Sequence, residues 1–160
     1  MAFRKTYTPS QALQKVQHYC AYQERSHAEV RQKLYGFGLW KDDVETLMAE
    51  LISEDYLNEE RFAIAYAGGH FRMKHWGRIK IRHELRQKQV SEYNINKGLD
   101  SIDEEDYLKV LSFLAKDKWN SFRNSDQNDF IRTMKTQAYL IQKGFEADLV
   151  QFTIRTLSME

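Results

Sequence analysis

The chain has 160 residues, 42% hydrophobic and 29% charged, with 24 Lys+Arg against 23 Asp+Glu. That is enough apolar material for one ordinary domain or for a short repeat array with a distributed core, and it carries no global charge bias, so charge has to be read region by region. Cys20, the only cysteine, excludes an intrachain disulfide and a thiolate metal cluster; no apolar run nears the roughly 20 residues of a membrane span, the polar start 1–10 lacks a signal-peptide core, and a cytoplasmic protein is the expectation.

One proline, seven glycines and no alternating runs of β-branched residues predict helix nearly throughout. Thr8-Pro9-Ser10-Gln11 opens a first helix from Pro9 to about Gln23, because Thr8 caps, proline loses nothing at the first helical position and Gln11 completes a capping box. Leu13, Val16 and Cys20 form its apolar face, which makes Cys20 a packing residue. Ser26-His27-Ala28-Glu29 is a second capping box, Val30 and Leu34 face inward from a short helix, and Gly36 or Gly38 ends it. Val44, Leu47, Met48, Leu51 and Ile52 stripe a third helix, closing a first trio near Leu57.

Asn58 caps the next helix, with Phe62, Ala63, Tyr66 and Ala67 on one side before Gly68-Gly69 interrupts or loosens it; Phe71 either continues that helix or lies in a loop. Gly77 precedes a helix with Ile81 and Leu85 inward, and Ser91 caps another with Ile95, Leu99 and Ile102. A third trio is read from Tyr107, Val110, Leu111 and Leu114, then Phe130, Met134, Ala138 and Ile141, then Leu149, Val150, Ile154 and Leu157. Gly144 sits where a helix end needs left-handed backbone. The polar run 116–129, broken by Trp119 and Phe122, reads as a long loop or a frayed helix end.

The trios repeat in sequence. Glu54-Asp55-Tyr56-Leu57 returns as Glu105-Asp106-Tyr107-Leu108, 51 residues later, and the same offset carries Val30 to Ile81, Leu34 to Leu85, Leu39 to Val90, Val44 to Ile95 and Met48 to Leu99. Leu140, Phe145 and Val150 keep the spacing of Leu34, Leu39 and Val44 in a more degenerate third unit. The predicted fold is all-α: one extended domain, an elongated array of three tandem three-helix repeats at about 9–57, 58–108 and 109–160, with about nine helices. Three short helices bury too little alone, so neighbouring repeats should share cores, and a curved array suits gripping a long partner.

Residues 70–88 hold seven Lys/Arg against the single acid Glu84. Arg78, Arg82 and Arg86 recur every four residues beside the Ile81/Leu85 face, whereas Lys80 and Lys88 lie elsewhere around the helix. Such a helix can lay charge along a phosphate backbone or an acidic protein surface, with Phe71 and Trp76 to stack or anchor. The plainer reading is a solvated face balanced by Asp100, Asp103, Glu104, Glu105 and Asp106. Replacing Arg78, Arg82 and Arg86 together with alanine is therefore expected to weaken partner binding and leave melting nearly unchanged.

Catalysis finds little support: there is no G-x-x-x-x-G-K-[ST] loop and no H-E-x-x-H motif. His70, His75 and His83 lack cysteines or spaced carboxylates to complete a metal site, and the acids 103–106 at a helix start fit capping and dipole complementarity. Tyr35, Phe37, Trp40, Tyr56, Trp76, Tyr107 and Tyr139 are read as packing residues first. Phe62 reads as core, while Arg61 either pairs within the unit or faces a partner.

Four segments also carry a family likeness. Glu24-Arg25-Ser26-His27-Ala28-Glu29-Val30-Arg31-Gln32-Lys33-Leu34, Asp55-Tyr56-Leu57-Asn58-Glu59-Glu60-Arg61-Phe62-Ala63, Gly77-Arg78-Ile79-Lys80-Ile81-Arg82-His83-Glu84-Leu85 and Tyr139-Leu140-Ile141-Gln142-Lys143-Gly144-Phe145 resemble, in order, the RecX family of bacterial recombinase regulators. The most specific are Y-L-x-x-x-R-F-A and I-R-x-E-L. The chain departs from the family at Gln89, where glycine is frequent, and at His75-Trp76, where Lys-Gly is more usual. The resemblance implies tandem three-helix repeats, binding to RecA or its filament on single-stranded DNA, modulation of filament assembly or ATP turnover that is usually inhibitory, and no enzymatic activity. Contacts are then expected at Arg72, Lys74, Arg78, Lys80, Arg82, Arg86 and Lys88, and second at Arg25, Arg31 and Lys33, in a monomer needing no cofactor, metal or membrane, with direct DNA contact left open. The rivals are a stand-alone nucleic-acid-binding module without RecA and a general helical interaction scaffold.

Overall fold

The computed structural model describes residues 6–123 and 128–160. Among them lie nine α-helices and no strand: α1 (Pro9–Tyr22), α2 (His27–Gly36), α3 (Lys41–Ser53), α4 (Glu59–Lys74), α5 (Arg78–Gln87), α6 (Glu92–Asp100), α7 (Glu104–Ser121), α8 (Asp129–Gln142) and α9 (Ala147–Ser158). Side chains cap most of the starts, satisfying backbone donors that a helix leaves open. Thr8 and Gln11 form a reciprocal capping box. The N–H groups of Glu29, Arg61, Asn94, Asp106 and Ile131 donate to the side chains of Ser26, Asn58, Ser91, Asp103 and Asn128.

The repeat is visible in the helices. α2 and α5 begin 51 residues apart, as do α3 and α6, and Val30 and Ile81, Leu34 and Leu85, Val44 and Ile95 are all fully buried. Each trio turns from its second helix to its third through a left-handed residue, Gly38 (φ 86°), Gln89 (φ 62°) or Gly144 (φ 100°). A buried residue follows each: Leu39, Val90 and Phe145. Gln89 thus holds, without glycine, a backbone that costs an L-residue about 1–2 kcal/mol.

The chain forms two compact units. One takes the chain up to Tyr66 together with Leu85–Gly98; here α1, α2 and α3 pack pairwise around Val16, Val30, Leu34, Val44 and Leu51. Gly98 of α6 meets α4 so closely that a Cβ would stand 2.6 Å from the Ala63 carbonyl oxygen. The other unit is Ala67–Glu84 with Leu99–Glu160, where α7, α8 and α9 pack pairwise and Phe71, Ile81, Tyr107, Leu111, Phe145 and Ile154 are buried.

Several expectations need correction. Gly68-Gly69 does not interrupt α4, which runs on to Lys74 and buries Phe71. α7 extends through Ser121 and buries Trp119, so the loop read over 116–129 is helical at its start; residues 124–127 of that run, like 1–5 of the polar start, lie outside the described residues. Ile52 is 45% exposed and Trp40 is 83% exposed, so neither packs. Ile102 falls beyond the end of α6.

The face assigned to α8 is the wrong one. Phe130, Met134 and Ile141 are exposed, whereas Thr136 and Leu140 are buried. Thr136 tolerates burial because its hydroxyl donates to the Arg132 carbonyl (2.9 Å), and Arg132 binds the adjoining face by donating to the Trp119 carbonyl (2.9 Å) and lying 3.9 Å from the Trp119 ring.

The repeated tetrapeptide also has two local structures. Asp55 is left-handed (φ 63°) just beyond the end of α3, but Asp106 and Tyr107 sit inside α7, because α6 stops at Asp100 and Asp103 starts a new helix. The repeat boundary read at 108 therefore falls within a helix.

Leu34 and Leu85 are fully buried on corresponding helices. Truncating either to alanine should destabilise the protein by about 2–5 kcal/mol in denaturant unfolding. A loss below about 0.5 kcal/mol at both positions would show that these faces are not core.

Candidate functional site

The basic stretch folds into the end of α4, a tight turn and α5. The turn needs His75 left-handed (φ 54°). Two backbone donors at the start of α5 find partners at the end of α8: Gly77 N–H donates to the Lys143 carbonyl (2.8 Å) and Ile79 N–H to the Gly144 carbonyl (2.9 Å). Carbonyls that a helix C-terminus leaves open thus meet donors that an N-terminus leaves open.

Arg78 then points inward. Its guanidinium lies 3.7 Å from the Tyr107 ring centroid, donates to Glu146 at 2.7 Å and pairs with Glu104, while its backbone N–H donates to the Tyr107 hydroxyl (3.0 Å). The Tyr107 hydroxyl in turn donates to Glu146. Burial works against the Arg78 charge, but Glu146, Tyr107 and Glu104 outweigh it and hold its pKa above the ordinary arginine value. Burial first, and the bond with Glu146 second, likewise push the Tyr107 phenol up. Glu146 is the N-cap residue of α9 yet its side chain makes no cap bond; its carboxylate serves this cluster instead. Arg78 is therefore a structural arginine. The expectation that replacing Arg78, Arg82 and Arg86 leaves melting untouched is corrected for Arg78.

The other expected cations divide by what they touch. Arg86 pairs with Glu92, Lys88 with Glu29 (3.2 Å) and Arg31 with Glu45 (2.9 Å). Arg25 donates to the Tyr19 carbonyl (3.0 Å) and lies over the Tyr19 ring. Arg82 is half-buried and engaged with the protein. Lys33 is exposed, 5.1 Å from the Tyr19 ring centroid. Arg72 and Lys74 are exposed and Lys80 half-buried, with the Lys74 and Lys80 ammoniums 5.2 and 4.7 Å from the Trp76 ring centroid. Arg61, left open by the sequence, pairs with Glu24 (2.5 Å) and Asp55 (3.2 Å).

One residue was not among the contacts expected from the sequence. The Lys143 ammonium donates to the Lys74 carbonyl (2.7 Å), 69 residues away, where burial first and Lys80 second lower its pKa. In the sequence Lys143 stands only within the family-like segment 139–145, with no run of charge to single it out. Cys20 is buried, and burial raises its thiol pKa. Among the described residues no group of three His, Cys, Asp or Glu could hold a metal ion, and no helix is long and apolar enough to cross a membrane.

Comparison with known proteins gives a consistent result. The family model for the second three-helix domain of RecX matches residues 58–99, and that for the third matches 104–154, together more than half of the chain. Curated proteins named regulatory protein RecX are similar over most of it. That of Clostridium perfringens is 28% identical over 134 residues, covering 84% of this chain and 62% of the relative. That of Vibrio parahaemolyticus is 25% identical over 126 residues, covering 79% and 78%. The chain thus spans 62% of the length of the Clostridium relative. Among solved structures, the crystal structure of RecX from Lactobacillus salivarius superposes with a TM-score of 0.85 at 22% identity, covering 95% of this chain and 97% of that one. A crystal structure of regulatory protein RecX gives 0.80 at 24% identity, covering 91% and 70%. At these identities the structural likeness shows the fold.

Proposed function

We propose, from the premise that this chain belongs to the RecX family, that it is a cytoplasmic regulator of homologous recombination and DNA repair, including the SOS response. It binds RecA or the RecA filament on single-stranded DNA and restrains filament assembly and ATP turnover, with no catalysis of its own. The observation that carries this reading is the match of two successive three-helix domains over 58–99 and 104–154.

The physical logic agrees. A filament presents the same surface at every subunit, and a chain that carries several repeats gains avidity by meeting several subunits through individually weak contacts. Arg72, Lys74, Lys80, Arg25 and Lys33, which have no carboxylate partner among the described residues, are the proposed contacts; Arg78, Arg86, Lys88 and Arg31 pair with acids of the protein itself.

The test is ATP hydrolysis by RecA on single-stranded DNA with increasing amounts of the chain. Turnover should fall as the chain approaches stoichiometry with the filament. Hydrolysis and strand exchange that stay unchanged across the titration would remove RecA regulation as the function.

A further inference from the structure

Both kinds of cation pair with carboxylates in this protein: Lys88 holds Glu29 and Lys109 holds Glu105, and most other pairs use arginine. Carboxylates take the arginine forks: Arg31 on Glu45, Arg61 on Glu24 and Asp55, Arg78 on Glu104 and Glu146, Arg86 on Glu92. At one place three lysines gather with no acid among them. The Lys74 and Lys80 ammoniums lie 5.2 and 4.7 Å from the Trp76 ring centroid, and Lys143 reaches the Lys74 carbonyl at 2.7 Å. Among the described residues no carboxylate lies within ion-pair distance of any of the three.

Holding like charges together without a counter-charge is unfavourable, and the fold invests specific contacts in doing so. The indole face steadies two ammoniums and a backbone carbonyl the third. His70 stacks on the same indole, 4.7 Å between ring centroids, so the tryptophan is itself fixed. An indole contact uses none of an ammonium's three N–H donors, so Lys74 and Lys80 keep donors to offer, and Lys143 retains two. The missing component of this arrangement is an anion.

We propose that Lys74 and Lys80, beside Trp76, together with Lys143 on the Lys74 carbonyl, form a binding site for the phosphate backbone of single-stranded nucleic acid. Exposed apolar side chains neighbour two of the lysines in sequence: Met73, 85% exposed, precedes Lys74, and Ile79, 55% exposed, precedes Lys80. Point cations alternating with exposed apolar surface suit a strand whose phosphates need charge and whose unstacked bases need a dry surface. A free phosphate has no use for the apolar surface. The site goes beyond the RecA reading and does not rest on it.

The test uses the full chain and a fluorescein-labelled oligothymidine, with no RecA present, and reads anisotropy as salt is raised. The wild-type protein should bind at low salt. The variant K74Q/K80Q/K143Q should lose about tenfold or more in affinity, with the log–log salt slope shallower by about 2, since each neutralised phosphate of a single strand contributes about 0.7. The variant R31Q/R86Q/K88Q removes as many charges from cations that are already paired and should keep the wild-type slope.

Acetylation footprinting of the unmutated protein gives a second readout that no folding defect can confound. The oligonucleotide should protect Lys74, Lys80 and Lys143 and leave Lys33 and Lys109 reactive. No binding by the wild type at low salt, an unchanged slope in the Lys→Gln variant, absence of selective protection, or equally effective competition by polyglutamate, which would mark a surface for acidic protein, would each overturn the site. With RecA absent throughout, any of these failures leaves the regulatory reading standing. Loss of ATPase restraint with intact oligonucleotide binding removes that reading and leaves the site.

Discussion

Replacing Tyr107 with alanine should destabilise the protein by roughly 3–5 kcal/mol, the range for deleting a buried aromatic ring. Tyr107 is fully buried, with its ring centroid 5.7 Å from that of Phe71 and 5.3 Å from that of Phe145. Alanine removes both ring contacts and leaves a cavity that backbone held by α7, α5 and the turn before α9 cannot close. It also strips the Arg78 N–H of its acceptor and Glu146 of one donor. Phenylalanine keeps the ring and loses only the hydroxyl bonds, so Tyr107→Phe should cost about 1–3 kcal/mol, because Arg78 still holds Glu146. The two variants separate packing from hydrogen bonding. A loss below about 1 kcal/mol for alanine in denaturant unfolding would contradict the placement of this ring at the centre of its unit.

The second large effect is expected at Gly77. A methyl group there would stand 2.3 Å from both the carbonyl carbon and the oxygen of Gly144 and 2.4 Å from the Phe145 nitrogen. All three are backbone atoms, so no side chain can rotate away. Gly77→Ala must push the start of α5 off the end of α8 and stretch the bonds from Gly77 to Lys143 and from Ile79 to Gly144. Overpacking and two weakened hydrogen bonds together should cost about 3 kcal/mol or more. Gly69 supplies the contrast. It lies inside α4 with nothing within 4 Å of a built Cβ, so Gly69→Ala should stabilise by about 0.5–1 kcal/mol through helix propensity. Parallel melts of the two variants check the pair. Equal midpoints would mean that α5 and α8 do not approach as described.

Caps and core positions were legible because their causes are local. A hydroxyl or carboxamide three residues ahead of a free N–H leaves a signature in the order of residues, and so do apolar side chains at helical spacing; Thr8, Asn58, Leu34 and Leu85 all behave as their neighbours dictate. The tetrapeptide misled where context decides. Asp103 offers a new start to the chain after Asp100, and Tyr107 is thereby drawn into a helix, whereas the corresponding Tyr56 follows a left-handed turn. α8 misled because Thr136 satisfies its own hydroxyl on Arg132, so burial did not select the most apolar face.

The candidate surface was legible as charge and illegible as allocation. Spacing put Arg78 beside Arg82 and Arg86, but whether an arginine faces solvent depends on acids far along the chain, here Glu104 and Glu146. For the same reason Lys143 could not be joined to Lys74 and Lys80 before the end of α8 was seen to meet the start of α5. Left-handed Gln89 marks a milder gap. The family likeness expects glycine there, and the backbone keeps the glycine conformation without it.

The most direct test of the central claim is co-sedimentation of the chain with RecA filaments assembled on single-stranded DNA, set against the same DNA without RecA and against RecA without DNA. A regulator that engages successive filament subunits should pellet with filaments at concentrations where it remains in the supernatant with either component alone, because only the filament offers several contacts at once. Equal partitioning onto bare DNA and onto filaments would contradict this account and leave a nucleic-acid-binding module in its place.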